Sequence, residues 1–146
     1  MNNIILLTHG ELSKGIRHSL GFILGEAANV TALSLRMDTS MADSRAMLEQ
    51  ALGAYPAAEP VVVATDLPGG STTQCAVSVL GAHENMYLVS GLNLALLMGL
   101  AMLELTGDRE EDLAALRECV EEAKESLLVV SDVVGSAAAV CDDDEL

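Results

Sequence analysis

The chain has 146 residues, 51% of them apolar and 20% charged; the length fits one domain and the balance excludes a disordered polymer. Twenty-two acids against seven Lys and Arg leave a net charge of −15, which argues against a nucleic-acid partner and an anionic membrane surface. Aromatic residues make up 2%, with no Trp, so the core is built from Ala, Val, Leu, Ile and Met.

The first apolar run, Ile4-Ile5-Leu6-Leu7, is a compact strand. A turn follows, then a helix of period near 3.6 through Leu12, Ile16, Leu20, Ile23 and Leu24, ending at Gly25. Val30 to Leu35 reads as a second strand, and Asp43 to Leu52 as a helix closing at Gly53. Val61 to Thr65 is the clearest buried strand, flanked by Pro60 and by the turn residues Leu67-Pro68-Gly69-Gly70. A helix starts near Ser71 and runs to Leu80. Met86 to Val89 is the fourth strand, and Ser90-Gly91-Leu92-Asn93 opens an apolar helix reaching Glu104. Asp108 caps an amphipathic helix to Lys124 with Leu113, Leu116, Val120 and Ala123 on one face. Leu127 to Val130 is a fifth apolar run. Strands and helices alternating in this order predict an α/β fold: parallel strands, right-handed crossovers, helices on both faces.

Residues 1–73 hold seven acids and four bases; residues 74–146 hold fifteen and three. The acidic half reads as solubilising surface, with steering of a basic partner as the lesser alternative. Cys75, Cys119 and Cys141 form no CxxC pair and imply neither a metal site nor a disulfide framework. The opening MNNIILLTHG lacks the basic segment of a signal peptide. The longest helical apolar stretch, Leu94 to Leu103, is about half of the roughly 20 residues that span a bilayer. A cytoplasmic protein in a reducing compartment is expected. The acidic ending, Cys141 to Leu146, lacks the ligand spacing of a Ca²⁺ loop and reads as a solvated tail.

Open parallel sheets bind ligands beyond the carboxyl ends of their strands. The first strand leads into Thr8-His9-Gly10, the third into Asp66 and a Pro-Gly-Gly-Ser turn, the fourth into Ser90-Gly91-Leu92-Asn93. That combination suits phosphate on histidine. An imidazole nitrogen attacks only with a free lone pair, so the other nitrogen must carry the proton, and a carboxylate bonded to that N–H fixes the tautomer. Backbone N–H groups at Gly69, Gly70 and Ser71, opening a helix, would face the incoming anion. No acid cluster suggests Mg²⁺, so neither a metal nor a nucleotide cofactor is expected. From spacing alone, a loop histidine and a helix-start cap account for His9 and Asp66 equally well. Other motifs are excluded more firmly. Gly10-x4-Gly15 is followed by Ile16-Arg17, which is no P-loop, and no GxGxxG follows the first strand. His18 and His83 read as surface residues.

The segments ILLTHGELSKGI, VVVATDLPGGST and LVSGLNLALL, in that order at the strand exits, resemble the mannose-family enzyme IIA of the bacterial phosphoenolpyruvate-dependent sugar phosphotransferase system, over residues 2 to 130. The resemblance implies that His9 is phosphorylated and Asp66 is its hydrogen-bonding partner. It further implies that phosphate arrives from the histidine-containing phosphocarrier protein and leaves for an enzyme IIB, with a membrane involved only through the sugar permease. The chain departs from the family pattern in three places: Leu67-Pro68 stands where an aromatic residue is common, and Thr72 and Ala95 each stand where proline is common. The family resemblance also makes the last strand antiparallel and exchanged between two subunits. The expected architecture is therefore four parallel strands plus an antiparallel edge strand near Ser126–Val130, in a homodimer. One phosphotransfer domain spans residues 1–134, with an acidic tail over 135–146. Two alternatives stand beside the carrier role. One is the phosphotransfer subunit of a dihydroxyacetone kinase, whose members tend to carry Ser-His-Ser where this chain has Thr8-His9-Gly10. The other is a regulatory module that feeds no sugar uptake.

Overall fold

A computed structural model of the chain describes residues 1–137. The elements are β1 (Asn2–His9), α1 (Leu12–Leu24), β2 (Ala28–Leu35), α2 (Met41–Gly53), β3 (Val61–Thr65), α3 (Ser71–Leu80), β4 (Met86–Ser90), α4 (Leu94–Met102), α5 (Arg109–Lys124) and α6 (Val130–Ala137). The four strands form one sheet in the order β2-β1-β3-β4, and every pairing is parallel.

Ile4 to Leu7 are fully buried because β1 lies inside the sheet with helices on both faces, where a strand reads as a continuous apolar run. The pleat sends alternate residues to opposite cores. Ile4, Leu6, Val62 and Ala64 pack with α1, α4 and α5. Ile5, Leu7, Val61 and Val63 pack with Leu48 and Leu52 of α2 and Cys75, Ala76 and Val79 of α3. The result is three layers, as expected. Helix α2 begins two residues earlier than the apolar pattern indicates, since Ser40 accepts from the Asp43 N–H at 3.0 Å. Asp108 caps α5 as read from sequence, accepting from Glu110 and Glu111.

The carboxyl end of the chain differs from expectation. Within this single chain Leu127 to Val129 belong to no strand and Val130 opens α6, so the fifth, antiparallel strand is not formed. Turn bonds from Ser126 N–H to Ala123 O and from Leu127 N–H to Lys124 O carry the backbone off the end of α5. Leu127, Leu128, Val129 and Val130 are left between 53% and 74% exposed. Residues 135–137 continue α6; the rest of the acidic tail expected over 135–146, residues 138–146, lies outside the described residues. Among the described residues no helix is long and apolar enough to cross a membrane.

Candidate functional site

The sheet order places β2 and β3 on opposite sides of β1, so the winding reverses direction between β1 and β3. A crevice opens at such a point, beyond the carboxyl ends of the strands. Register brings the residues there together: Leu7 lies opposite Thr65, so His9 at the end of β1 meets Asp66 just past β3.

Asp66 Oδ2 accepts two bonds from His9, one from the backbone N–H and one at the ring Nδ1, each at 2.9 Å. Its other oxygen, Oδ1, accepts the Leu67 N–H at 3.0 Å and the Thr72 hydroxyl at 2.8 Å. Burial alone would push the Asp66 carboxyl up. The bonds from the His9 backbone, the His9 ring and Thr72, with the His9 charge, outweigh it and hold the group below the ordinary carboxylate value. An ionised carboxylate only accepts, so in the neutral ring Nδ1 carries the proton and Nε2 keeps its lone pair. Ser71 Oγ lies 3.0 Å from Nε2 and therefore donates to it. The His9 side chain is 46% exposed and that of Asp66 10%, so an accessible imidazole sits over a sheltered carboxylate.

The turn that delivers Ser71 follows from its sequence. Gly70 N–H bonds Leu67 O at 3.0 Å, with Pro68 and Gly69 between them. Proline favours the first central position of a type II turn, and the second needs positive φ. Gly69 has φ +80°. At Gly70 a Cβ would stand 3.2 Å from the Leu67 backbone oxygen, a tight contact with the turn itself, and 3.4 Å from His9 Cε1, in ordinary contact with the ring. Gly70 is also the N-cap of α3 and has no side chain to accept from the first helical turn. That leaves first-turn N–H groups open toward the crevice, as helix starts that bind anions do. Behind the turn, the hydroxyls of Thr65, Thr73 and Ser90 cluster within 3.2 Å of one another; Thr65 donates to Ser90 and Thr73 donates to Leu67 O, which leaves the Ser90 proton for Thr73. Gly69→Ala should lower stability by about 1–2 kcal/mol, the cost of left-handed backbone for an L residue. Thermal unfolding checks it, and an unchanged midpoint would show the turn has another conformation open to it.

The structure thus brings together His9, Asp66 and Ser71, with Gly70 against the ring and Gly69 shaping the turn. Gly70 N–H, expected to face an anion, is instead bonded within the turn to Leu67 O. His18 is exposed on α1. His83 is half-buried at the opposite edge of the sheet, its Nε2 2.7 Å from Glu49 Oε2. Sequence reasoning missed Thr72 as a ligand of Asp66, and the hydroxyl triangle. Among the described residues no group of three or more His, Cys, Asp or Glu could hold a metal ion.

The sequence matches the family EIIA-man, described as PTS system fructose IIA component, over residues 3–117. The PTS system fructose-specific EIIA component of Bacillus subtilis (strain 168) is 26% identical over 98 residues, 67% of this chain and 67% of that protein. The structure is similar to that of phosphotransferase system component EIIA from Streptococcus agalactiae, with a TM-score of 0.74 and 27% identity over 90% of this chain and 99% of that one. The mannose/sorbose specific IIA subunit from Enterococcus faecalis shares the fold at a TM-score of 0.75 and 24% identity, over 88% of this chain and 93% of that one.

Proposed function

The chain belongs to the EIIA-man family of sugar phosphotransferase system components, and on that premise we propose that it carries a phosphoryl group on Nε2 of His9. The observation that carries this reading is the Asp66 carboxylate on Nδ1, which leaves Nε2 as the nucleophile.

The donor is the histidine-containing phosphocarrier protein. The Nε2 lone pair of His9 attacks the phosphorus, the new N–P bond forms, and the donor's P–N bond breaks with its electron pair returning to the donor ring. The His9 ring gains positive charge, which Asp66 stabilises through the Nδ1–H bond. No proton has to leave the pair. The Ser71 hydroxyl gives up its bond to Nε2 and donates instead to a phosphoryl oxygen, alongside first-turn N–H groups of α3. Transfer onward is the same step reversed: a nucleophile of enzyme IIB attacks the phosphorus and Nε2 recovers its lone pair. This role places the chain in the cytoplasm and connects it with a membrane only through the permease that the acceptor serves.

The test is reconstitution with phosphoenolpyruvate, enzyme I, the phosphocarrier protein and an enzyme IIB. Label that is acid-labile and base-stable should appear on the chain and pass to enzyme IIB. An unlabelled chain would overturn the reading. Label that passes only to a dihydroxyacetone kinase subunit would reassign the acceptor, and label that goes nowhere while a regulator binds would make this a regulatory module.

A homodimer belongs to the same proposal. Leu127 to Val130 form an aliphatic stretch open to solvent, an aggregation hazard unless a second copy covers it. The exchange of residues near Ser126–Val130 between two subunits would do so, with this segment pairing as a strand in the partner's sheet. Light scattering at micromolar concentration should then return about twice the 15.2 kDa chain mass, and removal of everything from Glu125 onward should abolish the dimer. A monodisperse full-length monomer that accepts phosphate would contradict the exchange and leave His9 untouched.

A further inference from the structure

Four donors hold the Asp66 carboxylate, and they are unequal. Two belong to His9 and reach Oδ2. On Oδ1, Leu67 N–H is the adjoining residue's and moves with Asp66 itself. The remaining donor, Thr72 Oγ1 at 2.8 Å, comes from a different element, the first turn of α3. Thr72 is fully buried. A hydroxyl in a first helical turn can satisfy itself on nearby backbone; this one reaches out of its helix to a carboxylate. Its neighbour Ser71 touches the other end of the pair, at Nε2. One dipeptide therefore grips both the nucleophile and the group that orients it.

We infer that Thr72 is a positioning residue for phosphoryl transfer: its buried hydroxyl anchors Asp66 Oδ1 to α3, which holds Oδ2 against the His9 ring. The inference rests on the phosphohistidine reading above. The last torsion of an aspartate is broad; without Thr72, Oδ1 would keep only the adjoining Leu67 N–H, and the two His9 donors on Oδ2 would have to set the carboxylate's angle to the ring unaided. With Thr72 in place, rotation would break a buried bond to a charged acceptor. The same bond favours the ionised form of Asp66, the form that accepts from Nδ1–H.

Thr72→Val keeps the shape and removes the donor, whereas Thr72→Ser keeps the donor. The readouts are the titration of the Asp66 carboxyl carbon followed by NMR and the rate of phosphoryl transfer through His9. In Thr72→Val the Asp66 titration should move upward and the rate should fall about ten-fold, the scale of one hydrogen bond to a charged group. Thr72→Ser should restore both. An unmoved Asp66 titration in Thr72→Val, or a Thr72→Ser variant as slow as Thr72→Val, would overturn the inference and leave Thr72 as packing. Should Thr72→Val fail to fold, the wild-type protein decides. A slowly exchanging Thr72 hydroxyl proton whose shift follows the Asp66 titration supports the inference, and a rapidly exchanging one overturns it. Failure of the phosphohistidine reading looks different: the wild-type chain takes no label while Thr72→Val still moves the Asp66 titration.

Discussion

His9→Ala should abolish phosphorylation of the chain, with no residual rate. The substitution removes the nitrogen that attacks, and no other group at the carboxyl edge of the sheet combines an exposed imidazole with a sheltered carboxylate. His83 cannot take over, because it lies at the opposite edge and already meets Glu49 through Nε2. The His9 side chain is nearly half exposed, so its loss removes little packing and the variant should fold. Labelling from phosphoenolpyruvate, with circular dichroism to confirm the fold, checks this. Label that persists in folded His9→Ala protein would move the phosphoryl group to another residue.

Asp66→Asn and Asp66→Ala should slow transfer by about 10²–10⁴-fold, the range for losing an orienting or electrostatic partner. The asparagine is the more informative. Oδ2 accepts from two His9 donors, and Oδ1 from Leu67 N–H and the Thr72 hydroxyl. An amide has one acceptor oxygen and one donor nitrogen, so either orientation sets its NH₂ against a backbone N–H. If the oxygen turns to Leu67, the ring meets a donor and favours the tautomer whose Nε2 carries the proton and has no lone pair. If the oxygen turns to His9, the carboxylate charge that balances the ring during transfer is still gone. Asp66→Ala removes the partner without imposing the wrong one. Rapid-quench transfer from the phosphocarrier protein measures both. A wild-type rate in either variant would make Asp66 a structural cap.

Most of the sheet was legible because its strands announce themselves by burial on both faces. Val61 to Thr65 and Ile4 to Leu7 are unbroken apolar runs, and the glycines and caps between them mark where helices stop and start. The rule that parallel strands deliver residues to one edge brought His9 and Asp66 to the same edge once each strand's exit was read, but their pairing came from the family resemblance, since spacing alone fits a loop histidine and a cap equally well. Composition gave no such access to Thr72, whose role depends on a hydroxyl turning out of its helix toward a loop; a Ser or Thr in a first helical turn more often serves its own backbone. The triangle of Thr65, Thr73 and Ser90 was hidden for the same reason, since it joins three elements that only the register brings together. Leu127 to Val130 reads as a strand by composition, yet strand formation needs an open edge within reach. Turn bonds at the end of α5 lead the single chain away instead.

The assignment of Nε2 of His9 as the phosphoryl acceptor is tested most directly by NMR on the phosphorylated chain with isotope-labelled imidazole nitrogens. The account predicts phosphorus coupling to Nε2 of His9, with Nδ1 still protonated and shifted by its bond to Asp66. Coupling to Nδ1, or a phosphoryl group on any residue other than His9, would contradict it.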